Sequence, residues 1–200
     1  QDLLNRLIEN FSQHKAGLEA AISSGTGVPL NSVRIRSPLP HPNIVAMAVN
    51  YMEDGTREAP APINAFQKSP NAVIGSGDTM VLPDVPATIF EGEAEMALVI
   101  GKRASNITPE NAFDHIFGYV NFIDGSARGL EPPGNTFYQM KSRETFAPMG
   151  PVIVTTDEIS DVDNLQIRLW VNEELKQNFN TSDMAHKIPR IMEWVSSIHT

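Results

Sequence analysis

The chain has 200 residues, of which 41% are hydrophobic and 20% charged, enough apolar material for one packed domain and too much for general disorder. Its net charge of −9 disfavours a polyanion such as nucleic acid as the main partner and suits a cation. Cysteine is absent, which excludes disulfides and thiolate metal sites; no apolar run approaches the roughly 18 residues of a membrane span, and no signal peptide is visible, so a cytoplasmic protein without membrane contact is expected.

Leu3, Leu4, Leu7, Ile8 and Phe11 follow helical spacing, which Leu18, Ala21 and Ile22 continue past Lys15. "SSGTGVPLNS" breaks the pattern, so residues 1–32 are expected to form a helical extension that packs on a main domain spanning 33–200. "NIVAMAVNY" predicts a short buried strand. The long polar run "MEDGTREAPAPINAFQKSPNAVIGSGD" has the length and composition of a lid or binding loop. "TMVLP" and "ATIFEGEAEMALVIGK" predict strands. "NITPENAFDHIFGY" predicts a helix capped by Thr108 with Pro109 in its first turn and Ala112, Phe113, Ile116 and Phe117 on one face. "GYVNFID" predicts a strand ending at Asp124, "GPVIVTT" another, and "LQIRLWVNEELKQNF" a hairpin turning near Asn172-Glu173-Glu174. "SDMAHKIPRIMEWVSSI" predicts a helix opened by Ser182 or Asp183. The start at Gln1 and the finish in "EWVSSIHT", without a stop signal, give both ends the look of cuts.

The strand "IFEGEAEMALVI" carries the chemistry. Side chains alternate along a strand. Phe90, Gly92, Ala94, Met96, Leu98 and Ile100 therefore form an apolar face for the core, and Glu91, Glu93 and Glu95 share the other. Such acids are either a solvated edge that discourages strand pairing or oxygen ligands. Carboxylates at i and i+2 lie roughly 7 Å apart and can lean toward one hard cation. Without cysteine or a His pair at ligand spacing, Mg²⁺, Mn²⁺ or Ca²⁺ fits better than zinc.

Read in order, "LPHPNIVAMAVNY", "AFQKSPNAVIGSGD", "GEAEMALVIGKRA", "GYVNFIDGSARG", "QMKSRETFAPMGPVIVT" and "NFNTSDMAHKIPRIMEWVS" resemble the core of the fumarylacetoacetate hydrolase superfamily. The resemblance runs from about Val33 to Thr200. It implies an α+β fold, a mixed β-sheet roll, that binds one divalent metal (Mg²⁺ or Mn²⁺, with Ca²⁺ an option) through Glu93, Glu95 and Asp124. It also implies a reactive lysine at Lys141, a second family lysine at Lys68, and a homodimer. Family members continue past this point into an "L-x-P-G-D" turn and a "G-T-P-x-G" loop. Where hydrolases of the family carry a lid histidine, this chain has Asp54, and the family's Ser-Ala-Arg-Asp is Ser126-Ala127-Arg128-Gly129.

The expected substrate is a small 2-oxo acid, chelated by the metal and passing through an enolate. The leading reaction is hydrolytic C–C cleavage of an acylpyruvate-like acid. Isomerisation or decarboxylation of an oxo-dienoate is a second reading, and a non-catalytic binder of 2-oxo or sugar acids a third. Lys141 would serve the developing oxyanion, and Asp54 or Glu53 would replace the lid base, or else belong with Glu58 to a solvated turn. His115 and His186 are further candidate bases. Tyr51, Lys68, Arg128, Gln139 and Thr181 are expected around the substrate, Arg128 either gripping a substrate carboxylate or bracing Asp124.

Overall fold

The computed structural model describes residues 2–53, 55–134 and 137–200. The N-terminal apolar spacing produces two helices, α1 (Asp2–Glu9) and α2 (Phe11–Ser24), separated at Asn10, whose amide side chain donates to the Arg6 carbonyl at 2.9 Å. Ile8 is buried in a cluster with Val99, Val120 and Phe122, and Leu4 packs against it. Phe11 meets Phe117 edge-on at 5.0 Å, and Lys15 pairs with Asp157 at 2.5 Å. These contacts dock the helices on the rest of the chain.

Strand β1 (Ile44–Met47) pairs antiparallel with β2 (Ala65–Lys68). It is shorter than "NIVAMAVNY" predicts, since Val49 takes a positive φ of 55°, outside extended geometry. A single 3₁₀ turn leads into β3 (Val73–Ile74). "TMVLP" forms no strand: Val81 and Leu82 stay exposed, and the Val81 amide donates to Thr145 Oγ1.

The centre of the molecule is the long antiparallel pair of β4 (Ile89–Ile100) and β5 (Ile116–Arg128). Two expectations are corrected here. The segment Pro109–His115 is a 3₁₀ helix, and Ile116 and Phe117 belong to β5. β-Branched and aromatic residues fill five of the seven positions from Ile116 to Phe122 and favour a strand over continued helix, and Phe113 is exposed while Ala112 is buried, so no common helical face forms. Strand β5 also runs through Asp124 to Arg128, which places Asp124 inside the ladder and not at its tip.

Helix α3 (Phe137–Lys141) follows, then β6 (Ala147–Pro148), parallel to β3, and β7 (Val154–Thr155), which extends the central sheet beside β5. The expected hairpin is present as β8 (Gln166–Val171) and β9 (Glu174–Asn180), with positive φ at Asn172 and Glu173, the geometry of a two-residue hairpin turn. Helix α4 (Ile188–Ile198) begins later than predicted: Ser182 and Asp183 lie in a separate 3₁₀ turn capped by Asn180, and Pro189 sits in the first turn of α4 itself.

The fold is mixed α+β, with small sheets around one long hairpin-like ladder. Both faces of β4 are packed, not one: Ala97 and Val99 join the cluster of Ile8 and Phe122, Met96 and Leu98 join that of Tyr119 and Ile188, and Phe90 packs with Ala127 and Phe146. Ile100, expected in the core, is about half exposed (48%). Among the described residues no helix is long and apolar enough to cross a membrane.

Candidate active site

The register of the central ladder gathers the site. Glu91 stands opposite Ser126, Glu93 opposite Asp124, and Glu95 opposite Phe122. Cross-strand partners share a face, so the three glutamates of β4 and Ser126 and Asp124 of β5 lie together, with Arg128 at the end of the row. Further along the same face Ala97, Val99 and Val120 enter the core. One face is thus acidic at one end and apolar at the other, and the acidic end must find positive charge.

That charge comes from three directions. Lys141, the last residue of α3, is only 4% exposed; its ammonium lies 2.5 Å from Asp124 Oδ2 and also bonds Glu93 Oε2. The ring of Phe66, on β2, sits beneath it with its centroid 5.4 Å from Nζ. Lys68, on the same strand, is 2% exposed and donates to Asp124 Oδ1 at 2.5 Å, to the Gly125 carbonyl at 3.1 Å and to the Lys141 carbonyl at 2.5 Å. Arg128 donates through Nε to Glu91 at 2.6 Å and through Nη2 to Glu93 Oε1 at 2.8 Å. Ser126, wholly buried, adds a hydroxyl bond to Glu93 Oε2 at 3.0 Å. Gly125 makes the crowding possible: a Cβ there would stand 2.9 Å from Phe146 backbone and side-chain atoms, which pack directly beside Asp124.

The electrostatics follow from these partners. Burial works to raise the Glu93 carboxyl, but the bond and charge of Lys141, then Arg128 and Ser126, hold it below the usual range. Burial lowers Lys68 against the pull of Asp124. Glu95 differs. It accepts no hydrogen bond and no ion pair among the described residues, and burial, with the charges of Asp124 and Glu93, pushes it up to about 8.

A divalent metal is the group this set of oxygens would take. Among the described residues no three acidic or histidine side chains already converge on a cation position. Glu93 and Asp124 do converge, on the Lys141 ammonium, and Glu95 lies beside them, within reach of the Lys141 charge but in no ion pair among the described residues. Carboxylate oxygens on a rigid ladder suit a hard cation, so the residues fit the group.

The other expected residues fall into two sets. Tyr51 and Glu53 line the same open cleft of about 1470 Å³ as Glu93, Asp124, Arg128 and Lys141. Tyr51 is held edge-on against Phe179 at 4.8 Å, and its hydroxyl is raised by burial and then by Glu95 and Asp183. Glu53 is exposed and tied to Arg57; Glu58 is exposed too, and Asp54 lies outside the described residues. Three residues expected at the substrate make other contacts. Lys68 is sealed beneath Asp124, Gln139 donates to the Glu131 carbonyl at 2.6 Å, and Thr181 is fully buried between Val162 and Leu165. His186 bonds the Ala61 carbonyl at 2.8 Å, and His115 is half-buried, its Nδ1 enclosed and unpartnered among the described residues. Sequence reasoning overlooked Ser126 and Phe66 as supports. Strand register exposes Ser126 and packing across the fold exposes Phe66, though the every-second-residue spacing already placed Glu91 on the acidic face.

The long ladder, the buried lysines and the clustered carboxylates form one acidic centre in the cleft. Residues 43–200 match the profile "Fumarylacetoacetate (FAA) hydrolase C-terminal", and the chain belongs to that family. It is 36% identical over 174 residues to oxaloacetate tautomerase YisK of Bacillus subtilis, covering 84% of this chain and 58% of that protein, so it spans little over half of that relative. A crystal structure of maleylpyruvate hydrolase from Sphingobium sp. SYK-6, in complex with manganese(II) and pyruvate, superposes with a TM-score of 0.88 at 34% identity, covering 98% of this chain and 70% of that one. The 2-hydroxyhepta-2,4-diene-1,7-dioate isomerase of Mycobacterium marinum does so at 0.77 and 32%, over 88% and 66%.

Proposed function

We propose that this protein is a divalent-metal-dependent enzyme that enolises a small 2-oxo dicarboxylic acid, interconverting keto and enol forms. The observation that carries the reading is the buried Lys141 ammonium shared by Glu93 and Asp124, with Glu95 beside them in no ion pair among the described residues. Glu93, Glu95 and Asp124 would hold Mg²⁺ or Mn²⁺, Ca²⁺ being a weaker fit. The bound ion would supply Lewis acidity to the 2-oxo oxygen of the substrate. Lys141 holds a proton at Nζ beside the position where negative charge develops, and its burial strengthens that interaction. Arg128 offers its fork to a substrate carboxylate, and Tyr51 closes one wall of the cleft. The names of the Bacillus tautomerase and the Mycobacterium isomerase support enolisation.

Hydrolytic C–C cleavage is the second reading, favoured by the likeness to the maleylpyruvate hydrolase bound to manganese and pyruvate. It requires a base to activate water. Glu53, one candidate, is engaged with Arg57. A homodimer remains the expected assembly, and light scattering on the purified protein tests it.

The deciding experiment follows the ultraviolet absorbance of enol-oxaloacetate, with Mn²⁺ or Mg²⁺, for wild type and Glu93→Ala. Metal-dependent acceleration that Glu93→Ala abolishes is the expected result, with solvent deuterium entering C3. Release of pyruvate from acetylpyruvate at a comparable rate would transfer the assignment to cleavage. Neither reaction in the presence of metal would defeat both readings.

A further inference from the structure

Glu91 stands outside the three-carboxylate set, yet it is not a free surface acid. Its Oε2 receives the Arg128 Nε–H at 2.6 Å, while Nη2 of the same guanidinium reaches Glu93 Oε1 at 2.8 Å. Arg128 lies opposite Ile89, so its side chain runs inward along β4 past Glu91 to Glu93. The fork therefore spans two acids two residues apart, and its side chain is one-third exposed where it lines the cleft.

Guanidinium chemistry gives this arrangement a purpose. The planar group has five N–H donors in fixed directions. The two contacts engage one at Nε and one at Nη2, which leaves the pair on Nη1 and one more on Nη2. Without Glu91, Glu93 would be the only carboxylate among the described residues holding the fork in place, and the guanidinium would be free to turn about that single contact. With Glu91, two contacts fix the plane.

We infer that Glu91 is a positioning residue: by anchoring Nε of Arg128 it aims the remaining donors at the second carboxylate of the substrate, and so favours 2-oxo dicarboxylic over 2-oxo monocarboxylic acids. This rests on the function proposed above. Glu91 touches neither substrate nor cation; it acts through Arg128.

The test is calorimetric titration of the Mn²⁺-loaded full chain with oxaloacetate and with pyruvate, for wild type, Glu91→Ala and Glu91→Gln, with kcat and KM measured alongside. Wild type is expected to bind oxaloacetate more tightly. Glu91→Ala should lose about tenfold in oxaloacetate affinity and no more than about twofold for pyruvate, the size of effect expected from loosening one charge-assisted contact. Glu91→Gln, which still accepts from Nε, should fall between. KM for oxaloacetate should rise with kcat nearly held. Equal losses for the two acids, or no loss, overturn the inference, because a merely structural Glu91 would weaken both alike. If Glu91→Ala fails to fold, the same affinity ratio in Glu91→Gln decides. A wild type that binds both acids and turns over neither defeats the proposed function, while the ratio still judges Glu91. A wild type that binds neither acid overturns both.

Discussion

Glu93 and Asp124 are direct cross-strand partners at the middle of the longest ladder in the molecule, and one ammonium, that of Lys141, bonds both. A rigid pair of strands sets the separation of the two carboxylates, and a lysine arriving from a separate helix neutralises them. The residues proposed to hold the cation and the lysine proposed to hold the proton therefore stand on different elements, and their effects should separate under mutation.

Lys141→Met should separate them. The ammonium competes with a divalent ion for the same oxygens, so its removal should tighten Mn²⁺ binding. The same change removes the proton that Lys141 is proposed to hold beside the reacting oxygen, and kcat should fall roughly 10²–10⁴-fold. Mn²⁺ titration by electron paramagnetic resonance, with initial rates on the same preparation, checks both. Weaker Mn²⁺ binding together with lost activity would mean that Lys141 only supports the fold.

Asp124→Ala and Glu95→Ala should each lower Mn²⁺ affinity by at least roughly tenfold, since removing even an outer support of a metal ligand has that effect. Chelation of the wild type should abolish activity, and added Mn²⁺ should restore it. Calorimetry measures the affinity. An unaltered Mn²⁺ isotherm in Glu95→Ala would remove that residue from the ligand set.

Lys68→Met should destabilise the protein by about 3–5 kcal/mol, the usual result of stripping one partner from a buried ion pair. It would leave Asp124 with Lys141 alone, and the Gly125 and Lys141 carbonyls without their shared donor. Urea unfolding measures the loss. A change below about 1 kcal/mol would show that Asp124 finds other compensation.

The N-terminal helices give a packing test. Ile8→Ala should cost about 2–4 kcal/mol, as for a buried aliphatic residue, whereas the exposed Leu3→Ala should stay within about 0.5 kcal/mol. Comparable effects from the two would contradict the docking of α1 through Ile8.

A surface pair gives a pH signature. The hydrogen bond from Lys15, then that from Thr155, holds the Asp157 carboxyl down to about 2. A depressed folded-state value means that the contribution to stability is present above the ordinary carboxylate range and is lost as pH falls toward about 2. Carbon-13 titration should place Asp157 near that value and move it toward an ordinary carboxylate in Lys15→Ala. An unchanged titration would separate Asp157 from Lys15 in solution.

Much of this site was legible in the chain itself. Alternation along β4 put Glu91, Glu93 and Glu95 on one face, and the order of motifs gave the family that the matched profile bears out. The helices before Ser24, the β8–β9 hairpin and the late helix were also visible through their periodicities. What the sequence hid depended on distance in space. Nothing local says that Ser126 faces Glu91 or that Lys68 ends beneath Asp124, since pairing register is a tertiary property. The helix expected around Phe113 misled for a similar reason: a good cap and a proline start a turn, but the strand-forming run from Ile116 onward recruits the next residues into the central ladder.

The two-residue rhythm of β4 also limits how such a protein can change. Losing or gaining one residue between Glu91 and Glu95 would rotate part of that row by half a pleat and drive acid into the oily side where Met96 and Leu98 sit. A change of length escapes that penalty only outside the ladder, in the loops that overlook the row.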